Sequence, residues 1–196
     1  MIYILSIYTL IYLILCMAWP TYQVWKRAGV NPIVFGNTDN VYDFIGRAMK
    51  VLIALLSVTV CVAMFLPEYY HLLNPISFLD HAYSDYFGGF LLFFSFVWTF
   101  IAQCQMRDSW RIGIDHNHKT ELVALGLFKV SRNPIFLGMI VTMIGYFLVL
   151  PNSITLLILG MGYTLIQIQV RLEEEYLGKN HGKDYISFCN NVRRWF

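Results

Sequence analysis

Four long stretches of the chain carry no charge: Met1 to Pro20, Val51 to Pro67, Tyr86 to Met106 and Pro134 to Val170. Polar and charged residues gather in the segments between them. A helix needs roughly 20 apolar residues to cross a bilayer, with a range of about 17–25. The pattern predicts spans over about 2–19, 47–66, 86–106, 134–150 and 153–172. The last uncharged stretch holds two of these because Pro151-Asn152-Ser153 breaks it. So short a turn makes spans four and five an antiparallel helical hairpin, and a tail helix is expected beyond them. A spanning backbone must satisfy its own hydrogen bonds, which predicts an all-α polytopic membrane protein with about five transmembrane helices and a cytoplasmic C-terminal helix. No long linker and no internal repeat divides the sequence, so residues 1–196 are expected to form one transmembrane domain.

Composition agrees with the pattern. Of 196 residues, 58% are hydrophobic and 13% charged, against about 25% charged in soluble domains. The first segment lacks the basic start and the small-residue cleavage site of a secretory signal, so a retained helix is expected. Cys16, Cys61, Cys104 and Cys189 are scattered and form no CxxC pair, which argues against a zinc site or a disulfide framework. His116 and His118 lie in a polar loop with no partner ligand at zinc-like spacing. No metal and no nucleic-acid partner is expected. His71 and His81 look incidental. The Gly-Met-Gly at 160–162 follows no strand, so it is no dinucleotide fingerprint. Gly138, Gly145, Gly160 and Gly162 are expected to allow close helix packing.

The net charge of +2 says little, but its placement orients the chain. Lys26, Arg27, Arg47 and Lys50 flank the first connection. Arg107, Arg111, Lys119, Lys129 and Arg132 follow span three, and Arg171, Lys179, Lys183, Arg193 and Arg194 close the chain. These are all fourteen basic residues, and five spans put them on one side. The positive-inside rule makes that side cytoplasmic, with the N-terminus outside.

The hairpin also joins two polar motifs. Arg132 lies twenty residues before Asn152, and Glu173 twenty-one after it. At 1.5 Å per residue both lie about 30 Å from the turn, at the cytoplasmic interface. Asn133-Pro134 reads as a helix start, with Asn as N-cap and Pro at the first position. Such an end, with Arg132 beside it, suits an anionic group. The plainer alternative is an arginine that snorkels to lipid phosphate, with Glu173, Glu174 and Glu175 forming a solvated face paired to Arg171 or Lys179.

The segments "LVALGLFKVSRNPIFLG" and "EEEYLGKNHGKDYISF", set on either side of the hairpin, resemble the isoprenylcysteine carboxyl methyltransferase and phospholipid methyltransferase family of integral membrane enzymes. Its pattern of Leu-Val, Gly-x-Tyr, Arg-His/Asn-Pro-x-Tyr-x-Gly and later Glu-Glu-x-x-Leu with Phe-Gly-x-x-Tyr is met by Leu122-Val123, Gly126 and Phe128, Arg132-Asn133-Pro134 with Phe136 and Gly138, then Glu173-Glu174, Leu177, Gly182 and Tyr185. The resemblance covers about residues 107–194.

The resemblance implies S-adenosylmethionine as methyl donor and a lipid-like or prenylated acceptor entering from the bilayer. It assigns the cofactor to Glu121, Leu122, Val123, Phe128, Asn133, Phe136, Glu173 and Glu174, with Asp115 to Lys119 forming part of a lid. Arg132 would orient the site or meet an anionic substrate group. Phe128 and Phe136 stand where the family has Tyr, and Asn133 where it often has His. Where carboxyl methyltransferases place an Arg on the substrate carboxylate, four residues before the first Glu, this chain has Gln169, with Arg171 two residues on. Both are candidates for acceptor contact, and a prenylcysteine carboxylate is disfavoured. The family's short bacterial forms suggest a bacterial inner membrane. Two other functions compete: an NADPH-dependent membrane reductase resembling the sterol reductases, and a non-catalytic adaptor on the same scaffold.

Overall fold

Residues 2–34, 40–113 and 121–196 are described in the computed structural model. Among them no strand forms, and two isolated bridges, Ile33 to Ile112 and Pro75 to Asn152, tie loops together. Helix α1 spans Ile2–Ala28, with a π-helical stretch at Leu13–Ala18. Then come α2 (Val41–Phe65), α3 (Ala82–Met106), α4 (Pro134–Val149), α5 (Ser153–His181) and α6 (Lys183–Asn191). Short 3-10 turns occupy Pro67–Leu73, Ser77–Leu79, Arg107–Ser109 and Gly126–Lys129.

The expected all-helical polytopic architecture is what the chain adopts. Four helices are long and apolar enough to cross a membrane, and α4 is a shorter apolar helix of 16 residues. The helix of the fifth span runs on past residue 172. Helix α5 continues unbroken through the three glutamates to His181. Glu, Leu, Tyr and Lys all sustain a helix, and the stop comes at Gly182, whose φ of 51° suits a residue without Cβ. The separate tail helix is the nine-residue α6.

Helix α4 lies between α3 and α5, α5 packs on α2, and α2 on α1. The α3–α4 approach is close because glycines face each other. A Cβ on Gly88 would meet the Gly145 carbonyl at 3.0 Å, and one on Gly145 would meet the Gly88 carbonyl at 3.1 Å. Gly138 abuts Thr99 and Gly162 abuts Met143, as the packing reading requires. Gly160 does not fit it, because open space lies beside it. At the hairpin turn the buried Asn152 caps α5, its Oδ1 accepting from Ile154 N (2.9 Å) and Thr155 N (3.0 Å). Thr155 Oγ1 accepts from Asn152 N in return, completing a capping box. His81 is not incidental: its Nδ1 accepts from Ser84 N at 3.1 Å and caps α3.

Polar side chains bind the helices where water is absent. Thr142 donates to Ser95 at 2.9 Å, Thr9 and Tyr146 share a 2.8 Å bond, and Tyr8 donates to the Leu92 carbonyl. Gln103 Nε2 donates to the Cys16 carbonyl at 2.6 Å, within the π-helical stretch of α1. Three apolar clusters fill the bundle among the described residues. One surrounds Leu5, Leu92 and Tyr146, one joins Ile45, Leu52, Ile158 and Leu165 between α2 and α5, and one joins Ala102, Phe128, Tyr185, Phe188 and Val192 at the basic end.

Candidate functional site

Helix α4 begins at Pro134, where the sequence places it, but Asn133 does not cap it through its side chain. Its Nδ2 instead donates to Glu174 Oε1 (3.2 Å) and to the Arg194 carbonyl (3.4 Å). A carboxylate is a stronger acceptor than a neutral group, and the tail adds the Arg194 carbonyl as a second acceptor. Ser131, fully buried, supplies the local contact, with its Oγ accepting from Asn133 N and donating to the Arg194 carbonyl.

The hairpin does bring Arg132 to the glutamates. Arg132 Nη2 lies 3.5 Å from Glu174 Oε1, with side-chain exposures of 16% and 12%. Of the three carboxylates it is the second that makes the contact. Counting residues along a helix fixes depth, whereas successive side chains differ by about 100° in direction. Glu174 also receives Arg194, Nε at 3.1 Å to each oxygen and Nη2 at 2.7 Å to Oε2. The Arg132 backbone N–H donates to the Arg193 carbonyl at 3.0 Å. The tail thus crosses the start of α4 and is fastened there.

Glu173 stands beside this knot but outside it. It is partly buried, and Gln169 Nε2 donates to its Oε1 at 2.8 Å from one turn earlier. Gln169 is itself buried, and its Oε1 has no partner; nor has the buried Arg132 Nε. Glu175 is the solvated member, paired with Lys179 at 2.6 Å. Arg171 is exposed and turns back onto the Gln167 carbonyl and side chain, so it is not bonded into the cluster.

Beneath the polar knot lies the apolar cluster of the basic end. Phe128 is buried in it, and Leu122 and Val123 pack against it with Leu177 and Ile135. Burial, and then the charge of Glu174, raise the Tyr185 phenol above its ordinary pKa. Phe136 is partly buried in the first turn of α4, and Glu121 is exposed. His116, His118 and the lid segment Asp115 to Lys119 lie outside the described residues.

Pattern reading misses Ser131 and Arg194. No local signal marks Arg194, because Arg171 stands at i−3 of Glu174 and is the nearer partner in the sequence. In the structure Arg171 turns to Gln167 instead, and Glu174 takes its partners from elsewhere in the chain.

Helix α4, at 16 residues, is about 24 Å long, less than the roughly 30 Å of hydrocarbon in a bilayer.

A family model described as phospholipid methyltransferase matches residues 84–184, from the first turn of α3 into α6. Both Arg132 and Glu174 fall within the match. No curated protein and no solved structure matches the chain.

Proposed function

The chain belongs to the phospholipid methyltransferase family, and from that premise we propose that it transfers the methyl group of S-adenosylmethionine to a lipid-like or prenylated acceptor at the cytoplasmic membrane interface. One observation carries this reading. Two buried polar atoms near the glutamates lack partners: Gln169 Oε1, whose amide nitrogen donates to Glu173, and Arg132 Nε, whose guanidinium lies 3.5 Å from Glu174. Leaving such groups unpaired costs about 1–3 kcal/mol each, and a ligand carrying both donors and acceptors removes that cost.

S-adenosylmethionine fits this donor set. Its carboxylate suits Arg132, its ammonium or ribose hydroxyls suit Glu173 and Gln169, and its adenine suits the apolar wall of Leu122, Val123 and Phe128. When bound it supplies an activated methyl group on a sulfonium, so the protein needs no metal or covalent nucleophile for the transfer. The chain's own work is to orient and to exclude water. Glu174 holds Arg132 and Asn133 in place, and through Arg194 it fastens the tail over the site. Phe136 lines the first turn of α4, and Gln169 stands one turn below Glu173, toward the membrane, where an acceptor arrives. Glu121 and Arg171 are exposed, and Arg171 bonds to Gln167. The basic end faces the cytoplasm under the positive-inside rule, with the N-terminus outside and, in this reading, a bacterial inner membrane around it.

Calorimetric titration of S-adenosylhomocysteine into the detergent-purified protein tests the proposal, with NADPH as comparator and Glu173→Ala as control. Saturable binding that the variant loses is the expected result. Binding of NADPH alone transfers the chain to the reductase reading, and binding of neither leaves a scaffold.

A further inference from the structure

On the other side of α3 from this site, α1 and α3 line a cavity of about 220 Å³ at the basic end of the bundle. Its walls are two matching stripes. Trp19, Gln23 and Arg27 follow one another at i+4 along α1, and Phe100, Gln103 and Arg107 rise along α3 and its last turn. The two helices run in the same direction, so the stripes climb together from aromatic ring to amide to guanidinium. The walls thus pass from apolar through neutral polar to cationic.

Three observations point to a ligand. Arg27 and Arg107 are exposed, and among the described residues neither pairs with a carboxylate. Gln103 is 8% exposed; its amide is held by the Cys16 carbonyl, and its Oε1 has no partner. Arg107 also takes φ 48° and ψ −122°, a conformation that residues with a Cβ rarely hold and that clusters at ligand clamps.

We propose that this cavity binds the headgroup of an anionic phospholipid whose phosphodiester carries a hydroxylated substituent. Two guanidinium groups that pair with no carboxylate among the described residues favour a net negative headgroup over a zwitterion, whose ammonium would sit beside them. Gln103 Oε1 accepts from a headgroup hydroxyl. The cavity is smaller than the roughly 300–1,000 Å³ of pockets that enclose a whole drug-sized ligand, so it takes the headgroup while the tails stay in the bilayer. Arginines that merely snorkel would not distinguish one headgroup from another. The opposite side of α3, through Ala102 and Met106, packs on the cluster of Phe128 and Tyr185, so the two sites share a helix without sharing residues.

The test offers the full-length detergent-purified protein equal amounts of phosphatidylglycerol and phosphatidylcholine, and reads bound lipid by native mass spectrometry. Wild type should retain phosphatidylglycerol in about ten-fold excess, the value of about one charge-assisted hydrogen bond. Arg27→Gln with Arg107→Gly should bring the ratio to parity. Glycine relieves the backbone at position 107, so an unchanged unfolding temperature in lipid-free detergent confirms that the fold survives. Equal retention of both lipids by wild type, or a preference that the double variant keeps, overturns the proposal. Stabilisation by inorganic phosphate without lipid retention assigns the cavity to a free anion and overturns it as well.

Discussion

Arg194 forks onto Glu174 from twenty residues further along the chain, with three nitrogen–oxygen distances of 3.1 Å or less. Because the Arg193 and Arg194 carbonyls also accept from Arg132, Ser131 and Asn133, this one carboxylate organises both the start of α4 and the end of the chain.

Removing it should therefore cost stability. Glu174→Ala leaves Arg132 and Arg194 without their acceptor. Breaking a fully buried pair costs about 3–5 kcal/mol, and since the Arg194 side chain is 34% exposed, solvent screening brings the expectation to about 2–3 kcal/mol. Glu174→Gln keeps an acceptor for Asn133 and should lose less. Thermal unfolding in detergent orders the three proteins; an alanine variant as stable as wild type would show that the knot does not hold the tail.

Gln169→Leu separates chemistry from scaffold. The change removes an unpartnered buried oxygen together with the bond to Glu173, two effects of opposite sign, so unfolding free energy should move by less than about 1 kcal/mol. Methyl transfer should fall by about ten-fold or more if Gln169 faces the reacting groups. A large loss of stability with unchanged turnover would make Gln169 a packing residue.

The glycines give a contrast on one chain. Gly145→Ala places a methyl group 2.8 Å from Leu92 and 3.1 Å from the Gly88 carbonyl, and should lower the unfolding temperature by prising α3 from α4. Gly160→Ala meets nothing within 4 Å and should be neutral or stabilising by up to about 1 kcal/mol, the helix preference for Ala. Equal effects at the two positions would refute the close α3–α4 approach.

Tyr185 gives a pH signature. Its phenol is raised, by burial first and then by Glu174. An acid raised in the folded state favours folding while it stays protonated. That contribution is present below the unfolded value of about 10 and is lost as pH climbs toward the folded value. The unfolding temperature of wild type should drop more steeply above about pH 10 than that of Tyr185→Phe. Parallel curves would mean that the phenol is not held in the cluster.

Much of this molecule is legible in local pattern. The uncharged stretches, the break at Pro151-Asn152-Ser153 and the proline at 134 locate the helices, because a bilayer-spanning backbone leaves few alternatives. Depth was legible too, since rise per residue is fixed, and so Arg132 was expected to meet the glutamates. Which glutamate it meets was not, because direction around a helix depends on how two helices turn toward each other. The end of α5 is not legible for a related reason: loss of hydrophobicity marks where a span leaves the membrane, not where a helix stops, and Gly182 makes the stop.

The sequence by itself determined the membrane class, the hairpin, the basic end and the set of polar residues gathered near the start of α4. Only the tertiary structure decided that Glu174 rather than Glu173 takes Arg132, that Arg194 returns to share it, that Gly160 packs against nothing, and that Trp19–Gln23–Arg27 stands opposite Phe100–Gln103–Arg107. Each of these is a relation between residues far apart in the chain. Local propensity constrains neighbours within a turn or two, whereas packing of whole helices sets every longer distance.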